Sequence, residues 1–273
     1  MKQFILLLVL ISTLRVHGQT PGLWNQILAG KDLAPFKQFT GQESYQEDKD
    51  KLDTLYFRTL CDDFYEGLFI YDRWVGDTRP GGLYRISYQF RVITRRDKII
   101  YARLLEDNKK AADDPDSLRF AERAFYQDSV SYSLLHRSFR QTFGADIKAS
   151  ELLRDNIEFS HGCGFGSTPS DERVLMDTLI VHKDKAAILS WLQSANTERQ
   201  LYGLDASYQL KRQGLPITRF EQDLIKKISA KKGTINSCAA YRHGRPEIHH
   251  IIHQVKHRPK EVADRTGLFN YDW

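Results

Sequence analysis

From Tyr84 to Val92 the chain alternates without a break. Tyr84, Ile86, Tyr88, Phe90 and Val92 stand against Arg85, Ser87, Gln89 and Arg91. Successive side chains of a strand point to opposite faces, so this period of two predicts a strand with one buried face. Upstream, 67-GLFIYDRWV-75 is β-branched and aromatic and 78-TRPGG-82 is a turn. Downstream, 94-TRRD-97 leads into 98-KIIYARLL-105, which predicts an antiparallel hairpin. A lone hairpin is marginal in water. Strands at about 67–75, 83–93 and 98–105 are therefore expected to form a small antiparallel sheet flanked by helices.

Elsewhere the spacing changes to three and four. Between Glu43 and Phe64, Leu52, Leu55, Tyr56, Leu60 and Phe64 fit an amphipathic helix, and Val130, Leu134, Leu135, Phe139 and Phe143 fit another that stops at Gly144. The charged stretch 107-DNKKAADDPDS-117 reads as a loop, and 148-KASELLRD-155 as a short helix. Three capped helices follow. Asp184 precedes Ile188, Leu189, Trp191 and Leu192. Thr197 with Gln200 makes a capping-box pattern before Leu201, Leu204 and Tyr208, ending at Gly214. Thr218 with Glu221 repeats it before Phe220, Leu224, Ile225 and Ile228, ending at Gly233. Their short loops predict antiparallel neighbours. The fold class expected is α+β, with a signal peptide over 1–18, a sheet-bearing portion over 19–146, a helical portion over 147–235 and a histidine-rich tail over 236–273.

The first twenty residues add a compartment. Lys2 is followed by eight apolar residues from Phe4 to Ile11 and by Val16-His17-Gly18 before Gln19, the layout of a secretory signal peptide. Eight apolar residues are too few to span a bilayer core, which needs about twenty, so no transmembrane segment is expected in the mature chain. Export to the periplasm or the extracellular space places Cys61, Cys163 and Cys238 in oxidising surroundings. Without Lys2 and Arg15 the formal charge falls from +5 to +3. The basic residues are scattered among acids, which argues against a nucleic-acid partner.

The stretch 189-LSWLQSANTERQLYGLDASYQLKRQGLPIT-218 resembles a HEAT-type helix pair. Together with the signal peptide, 161-HGCGFGS-167 and Cys238, the layout resembles a group of uncharacterised exported proteins of Bacteroidetes-type bacteria. The resemblance is fullest over about the last 110 residues and implies no activity. Members of that group tend to carry a second cysteine soon after the one matching Cys238. Here 238-CAAYRHG-244 stands instead, so no metal-binding cysteine pair is expected at that point.

Two stretches carry candidate chemistry. In 159-FSHGCGFGSTPSDE-172, Cys163 could act as a nucleophile with His161 as base and glycine N–H groups as an oxyanion site. Residues two apart across one glycine rarely align thiol and imidazole. A structural Cys163–Cys238 disulfide is the favoured reading, and buried inert thiols are the other alternative. In 247-EIHHIIHQVKH-257, four of the nine histidines cluster. As a helix, this segment puts His249, His253 and His257 in one line, the i, i+4 spacing that chelates zinc. The residue after His249 is His250 where a zinc protease has its glutamate, so the general base is missing. On the plainer reading Ile248, Ile251, Ile252 and Val255 form an apolar face and the histidines meet solvent; a β-branched strand is the alternative. Neighbouring carboxylates at Asp62-Asp63 and Asp113-Asp114 suit helix ends and loops better than a catalytic dyad. Tyr65, Phe69, Tyr71 and Trp74 either line a groove or form the sheet core.

These readings favour an exported, non-catalytic binding protein for an unknown protein or cell-envelope ligand, needing no cofactor. An exported hydrolase using Cys163 or a histidine-held zinc is the alternative, and an immunity-type inhibitor of the periplasm is a third reading.

Overall fold

A computed structural model describes residues 29–33, 50–76, 83–107, 120–154, 156–163, 168–240 and 242–258. The expected signal peptide, the 78–82 turn, most of the 107–117 loop with its Asp113-Asp114 pair, the glycines at 164 and 166, and the chain beyond 258 lie outside the described residues. The architecture is mixed α+β. Five strands, β1 (Asp50–Cys61), β2 (Phe64–Gly76), β3 (Leu83–Arg95), β4 (Lys98–Asp107) and β5 (Phe120–Gln127), form one antiparallel sheet in chain order. Strands β2, β3 and β4 contain the three that alternation and composition predict. Tight turns at Asp62-Asp63 and Arg96-Asp97 join β1 to β2 and β3 to β4, with Asp62 and Arg96 at positive φ.

Strand β1 corrects the helix expected over 43–64. Tyr56 and Leu60 are four apart, a step shared by a helix and by one face of a strand, whereas an irregularity between Thr54 and Tyr56 turns Leu52 to the other cluster and Phe64 already belongs to β2. The intervening buried position is Arg58, 1% exposed, and a charged residue there hides the alternation. Strand β5, also unexpected, is a largely exposed edge strand whose apolar residues are only partly covered. Strand β3 is buried on both faces over part of its length. Phe90 and Val92 join one cluster, Ile93 joins the other, and Ser87 and Gln89 are buried with polar partners, Ser87 Oγ donating to Asp72 at 2.5 Å.

The helices are α1 (Ser129–Phe143), α2 (Asp171–Val181), α3 (Lys185–Leu192), α4 (Thr197–Arg212), α5 (Arg219–Ser229) and α6 (Ile248–His257). Gly144 ends α1 at φ 74°, and Leu135, Phe139 and Phe143 face the core, but Val130, in the first turn of α1, is exposed. Only a short 3-10 turn, Ala149–Glu151, forms where a helix over 148–155 is expected. Asp184 caps α3, and the Thr218–Glu221 box caps α5. At α4 the cap is Asn196, whose side chain accepts from Arg199 N at 2.9 Å. Thr197 is already helical and buried, and Gln200 donates to Leu192 O, so the Thr197–Gln200 box does not form. Gly233 does not end α5. At φ 103° it lies against β1, where a Cβ would stand 2.1 Å from Phe57 O, so only glycine permits that approach.

The helical portion also contains strand β6 (Phe159–Cys163). The segment expected as a tail contributes β7 (Ser237–Ala240) and β8 (Arg242–Gly244). Strand β6 runs parallel to β7, and β7 antiparallel to β8. One large apolar cluster gathers Leu60, Phe64, Ile93 and Ile100 of the sheet with residues of all six helices. Helix α4 is its axis, with Gln200 to Ser207 and Leu210 all buried. A second cluster around Phe69, Tyr71, Phe90 and Val92, with Leu33, occupies the other face of the sheet.

Candidate functional site

Three polar constellations and one groove carry the chemistry of the described residues. The first sits where β1 and β2 meet α4. Arg58 donates from Nε to Glu66 at 2.7 Å and from Nη1 to Glu198 at 2.5 Å, all three side chains having no solvent exposure. Glu66 also accepts from Leu153 N, and Glu198 from Asn236 N. Burial alone would lower the Arg58 pKa, but Glu198 and Glu66 outweigh it and raise it. Lys231 closes the cluster, donating to Thr197 Oγ1 at 3.3 Å, and burial pushes its ammonium down to about 8. Burial likewise pushes the nearby Cys61 thiol up to about 12, which keeps this unpaired cysteine protonated and unreactive at neutral pH. These charges are spent on one another, and their role is to lock the sheet to the helices.

The second constellation centres on Asp205 of α4. Arg173 of α2 donates to it at 2.8 Å, and Arg258, after α6, stands 3.3 Å away. Burial raises the Asp205 pKa, yet the Arg258 and Arg173 guanidinium groups together hold it below the usual carboxylate range. Arg258 Nη2 lies 2.6 Å from His161 Nε2. A guanidinium can only donate, so that ring nitrogen carries no proton and the imidazole is neutral. Burial pushes His161 well below its ordinary 6.5.

Because an unfolded chain takes up that proton near pH 6.5 and the folded one resists, the stability held above 6.5 is lost as pH falls below it. The slope reaches about 1.4 kcal/mol per pH unit. Thermal melts between pH 7.5 and 5 should show a declining Tm that is flatter in His161→Gln, whose amide oxygen can still accept from Arg258. Parallel curves would contradict the assignment.

The third is the cysteine pair. Cys163 and Cys238 are bonded, with Cα atoms 5.4 Å apart, tying β6 to β7. A bonded Cys163 offers no thiolate, and His161 beside it is engaged by Arg258. The nucleophile–base pair that 161-HGC-163 suggests is not assembled. Glu158 and His243 flank the disulfide, with His243 Nδ1 2.9 Å from Glu158 Oε1. Tyr202 supports this corner, donating toward the Glu158 carbonyl at 2.8 Å and accepting from Ser160 N.

The histidine-rich segment is a helix, not a strand. Ile248, Ile251, Ile252 and Val255 are buried in the core while His249, His250, His253 and His257 are exposed. The His253 and His257 rings lie 4.4 Å apart by centroid, whereas His249 pairs with His250 at 4.1 Å. His249, His253 and His257 thus lie on the exposed side of α6, opposite its buried isoleucines. The Asp62-Asp63 pair serves a turn, Asp63 bridging to Arg95 at 3.0 Å. Phe69 and Tyr71 belong to the sheet core, and Tyr65 stacks on Phe57 at 5.6 Å.

Helices α4, α5 and α6 enclose a surface groove of about 600 Å³. Tyr208, Ile217 and Ile225 give it an apolar floor, and Lys211, Lys226 and Lys256 stand around it with no carboxylate among the lining residues. No ion pair engages these three lysines among the described residues. A smaller concavity of about 340 Å³ on the sheet side carries Arg91, Arg103 and Arg154. There the arginines are already engaged, Arg103 with Glu122 at 2.7 Å and Arg154 with Ser150 O at 3.0 Å. The lysine groove is thus the better candidate site. Nothing in the sequence marks it, because each lysine is an ordinary surface residue of a different helix. Comparison with protein-family models, curated proteins and solved structures gives no match.

Proposed function

We propose that the protein is an exported, non-catalytic binding protein that takes an anionic ligand with an apolar body in the groove between α4, α5 and α6. The observation that carries this reading is the combination of three lysines that no ion pair engages among the described residues and a floor of tyrosine and isoleucine. A ligand pocket of a few hundred Å³ with an apolar lining and a few convergent charges is the usual form of a small-molecule site. The lysines supply attraction for a carboxylate or sulfonate, and the floor supplies burial for an acyl chain or ring at about 25 cal/mol per Å². Export is supported by the sequence from Met1 to Gln19 and by the disulfide, a bond that persists in oxidising compartments. The resemblance of the α3–α4 stretch to a HEAT-type pair supports a scaffold that presents a binding surface.

Dodecanoate is a suitable probe, since it joins a carboxylate to an apolar chain. Calorimetric titration of the mature chain should give one saturable site. Lys211→Glu with Lys256→Glu should weaken it about tenfold or more, equivalent to about 1.4 kcal/mol or above, and dodecanol should bind more weakly than dodecanoate. Equal binding of acid and alcohol, or affinity unmoved by the double charge reversal, would remove the groove as the site.

A further inference from the structure

The corner of the molecule that holds the disulfide has the composition of a metal site as well as of a cross-link. Each strand of the small sheet contributes to it. Cys163 ends β6, Cys238 lies in β7, and His243 of β8 stands directly across from Cys238 in the antiparallel register. Glu158 precedes β6 and has its backbone carbonyl pinned by Tyr202. The two sulfurs, one imidazole nitrogen and one carboxylate oxygen all lie within 4.8 Å of one another. His243 Nδ1 is 2.9 Å from Glu158 Oε1, and Cys163 Sγ is 3.9 Å from Glu158 Oε2.

We propose that reduction of the Cys163–Cys238 bond opens a four-coordinate site for one zinc-class divalent metal ion, held by the two thiolates, His243 Nδ1 and the Glu158 carboxylate. Thiolate and imidazole ligands select zinc and its neighbours over calcium and magnesium, which demand oxygen. Zn–S bonds of about 2.3 Å in a tetrahedron place the two sulfurs about 3.8 Å apart. With the Cα atoms 5.4 Å apart, rotation of the two cysteine side chains reaches that separation with the strands left in register. Cys238 is fully buried while the His243 side chain is 69% exposed, so the site has a closed floor and an open lip through which an ion enters.

The chemistry balances with a dithiol reductant. The reductant's two thiols pass two electrons and two protons to the protein disulfide, giving two cysteine thiols and the oxidised, cyclic reductant. The metal ion then displaces one proton from each thiol. The metal replaces one β6–β7 tie by another, so the same corner is cross-linked in either redox state. A metal held by side chains from distant parts of the chain has no preformed site in the unfolded state, and its binding therefore stabilises the fold.

The test uses the full mature chain under anaerobic conditions. Cobalt(II), which shows thiolate-to-metal charge-transfer absorption, should bind the reduced protein at one ion per chain and be displaced by zinc. The disulfide form should show no such band. His243→Ala should weaken the reduced protein's affinity about tenfold or more, while His253→Ala should leave it unchanged. Should reduction in chelator unfold the chain, reduction in the presence of zinc gives a second readout, a Tm higher than that in chelator. A reduced protein without the charge-transfer band, an affinity indifferent to His243, or equal Tm values with zinc and with chelator would each overturn the proposal.

Discussion

Replacing Arg58 with methionine should destabilise the protein by about 3–5 kcal/mol, because the change strands two buried carboxylates. Glu66 and Glu198 have no solvent exposure, and Arg58 is the cation bonded to both. Lys231 stands near but donates to Thr197 Oγ1, and its own ammonium is already pushed down by burial. The triple variant Arg58→Met, Glu66→Gln, Glu198→Gln should recover a large part of the loss, since no uncompensated charge remains. Urea unfolding of the three proteins checks both statements. A loss under about 1 kcal/mol for Arg58→Met would mean that the cluster behaves like a surface ion pair.

Removing the disulfide should have an effect of similar size. The bond joins residues 75 apart, and closing a loop of that length lowers the entropy of the unfolded chain by an amount worth about 4 kcal/mol in chain-entropy terms. The double variant Cys163→Ser, Cys238→Ser should therefore unfold at clearly lower denaturant concentration than the oxidised parent, measured in the presence of a chelator. Equal midpoints would show that β6 and β7 are held together without the bond. Buried partners already serve that corner, Tyr202 bonding Ser160 N and Arg258 bonding His161, so the residual stability of the variant reports their share.

What the sequence disclosed was local. Strand β3 and its turn into β4 were legible because alternation and turn residues act over a few positions, and the Asp184 and Thr218 caps and the Gly144 stop were legible for the same reason. Strand β1 was not, since a four-residue step fits both periods and Arg58 interrupts the apolar face. A second signal lay in 197-TERQLYGLDASYQL-210, a helix without a continuous polar face in which Glu198 and Asp205 stand seven residues apart. Charges on a helix buried all round require partners, and that alone announces buried ion pairs. Their partners, Arg58 at 140 residues' distance, and Arg173 and Arg258 at 32 and 53, carry no local mark. The groove was hidden in the same way, its lysines being distributed over α4, α5 and α6. The Cys163–Cys238 pairing was one of three that three cysteines allow and was favoured without being fixed, whereas the outward histidines were legible because Ile248, Ile251, Ile252 and Val255 fall at helical spacing and claim the inner face.

Amide hydrogen exchange of the mature chain with and without dodecanoate tests the binding groove most directly. Slowed exchange is expected only at the end of α4 near Lys211, over 217–229 and in the α6 segment around Lys256. Slowed exchange at the sheet-side concavity around Arg103 and Arg154, or none anywhere at saturating ligand, would contradict binding in the groove.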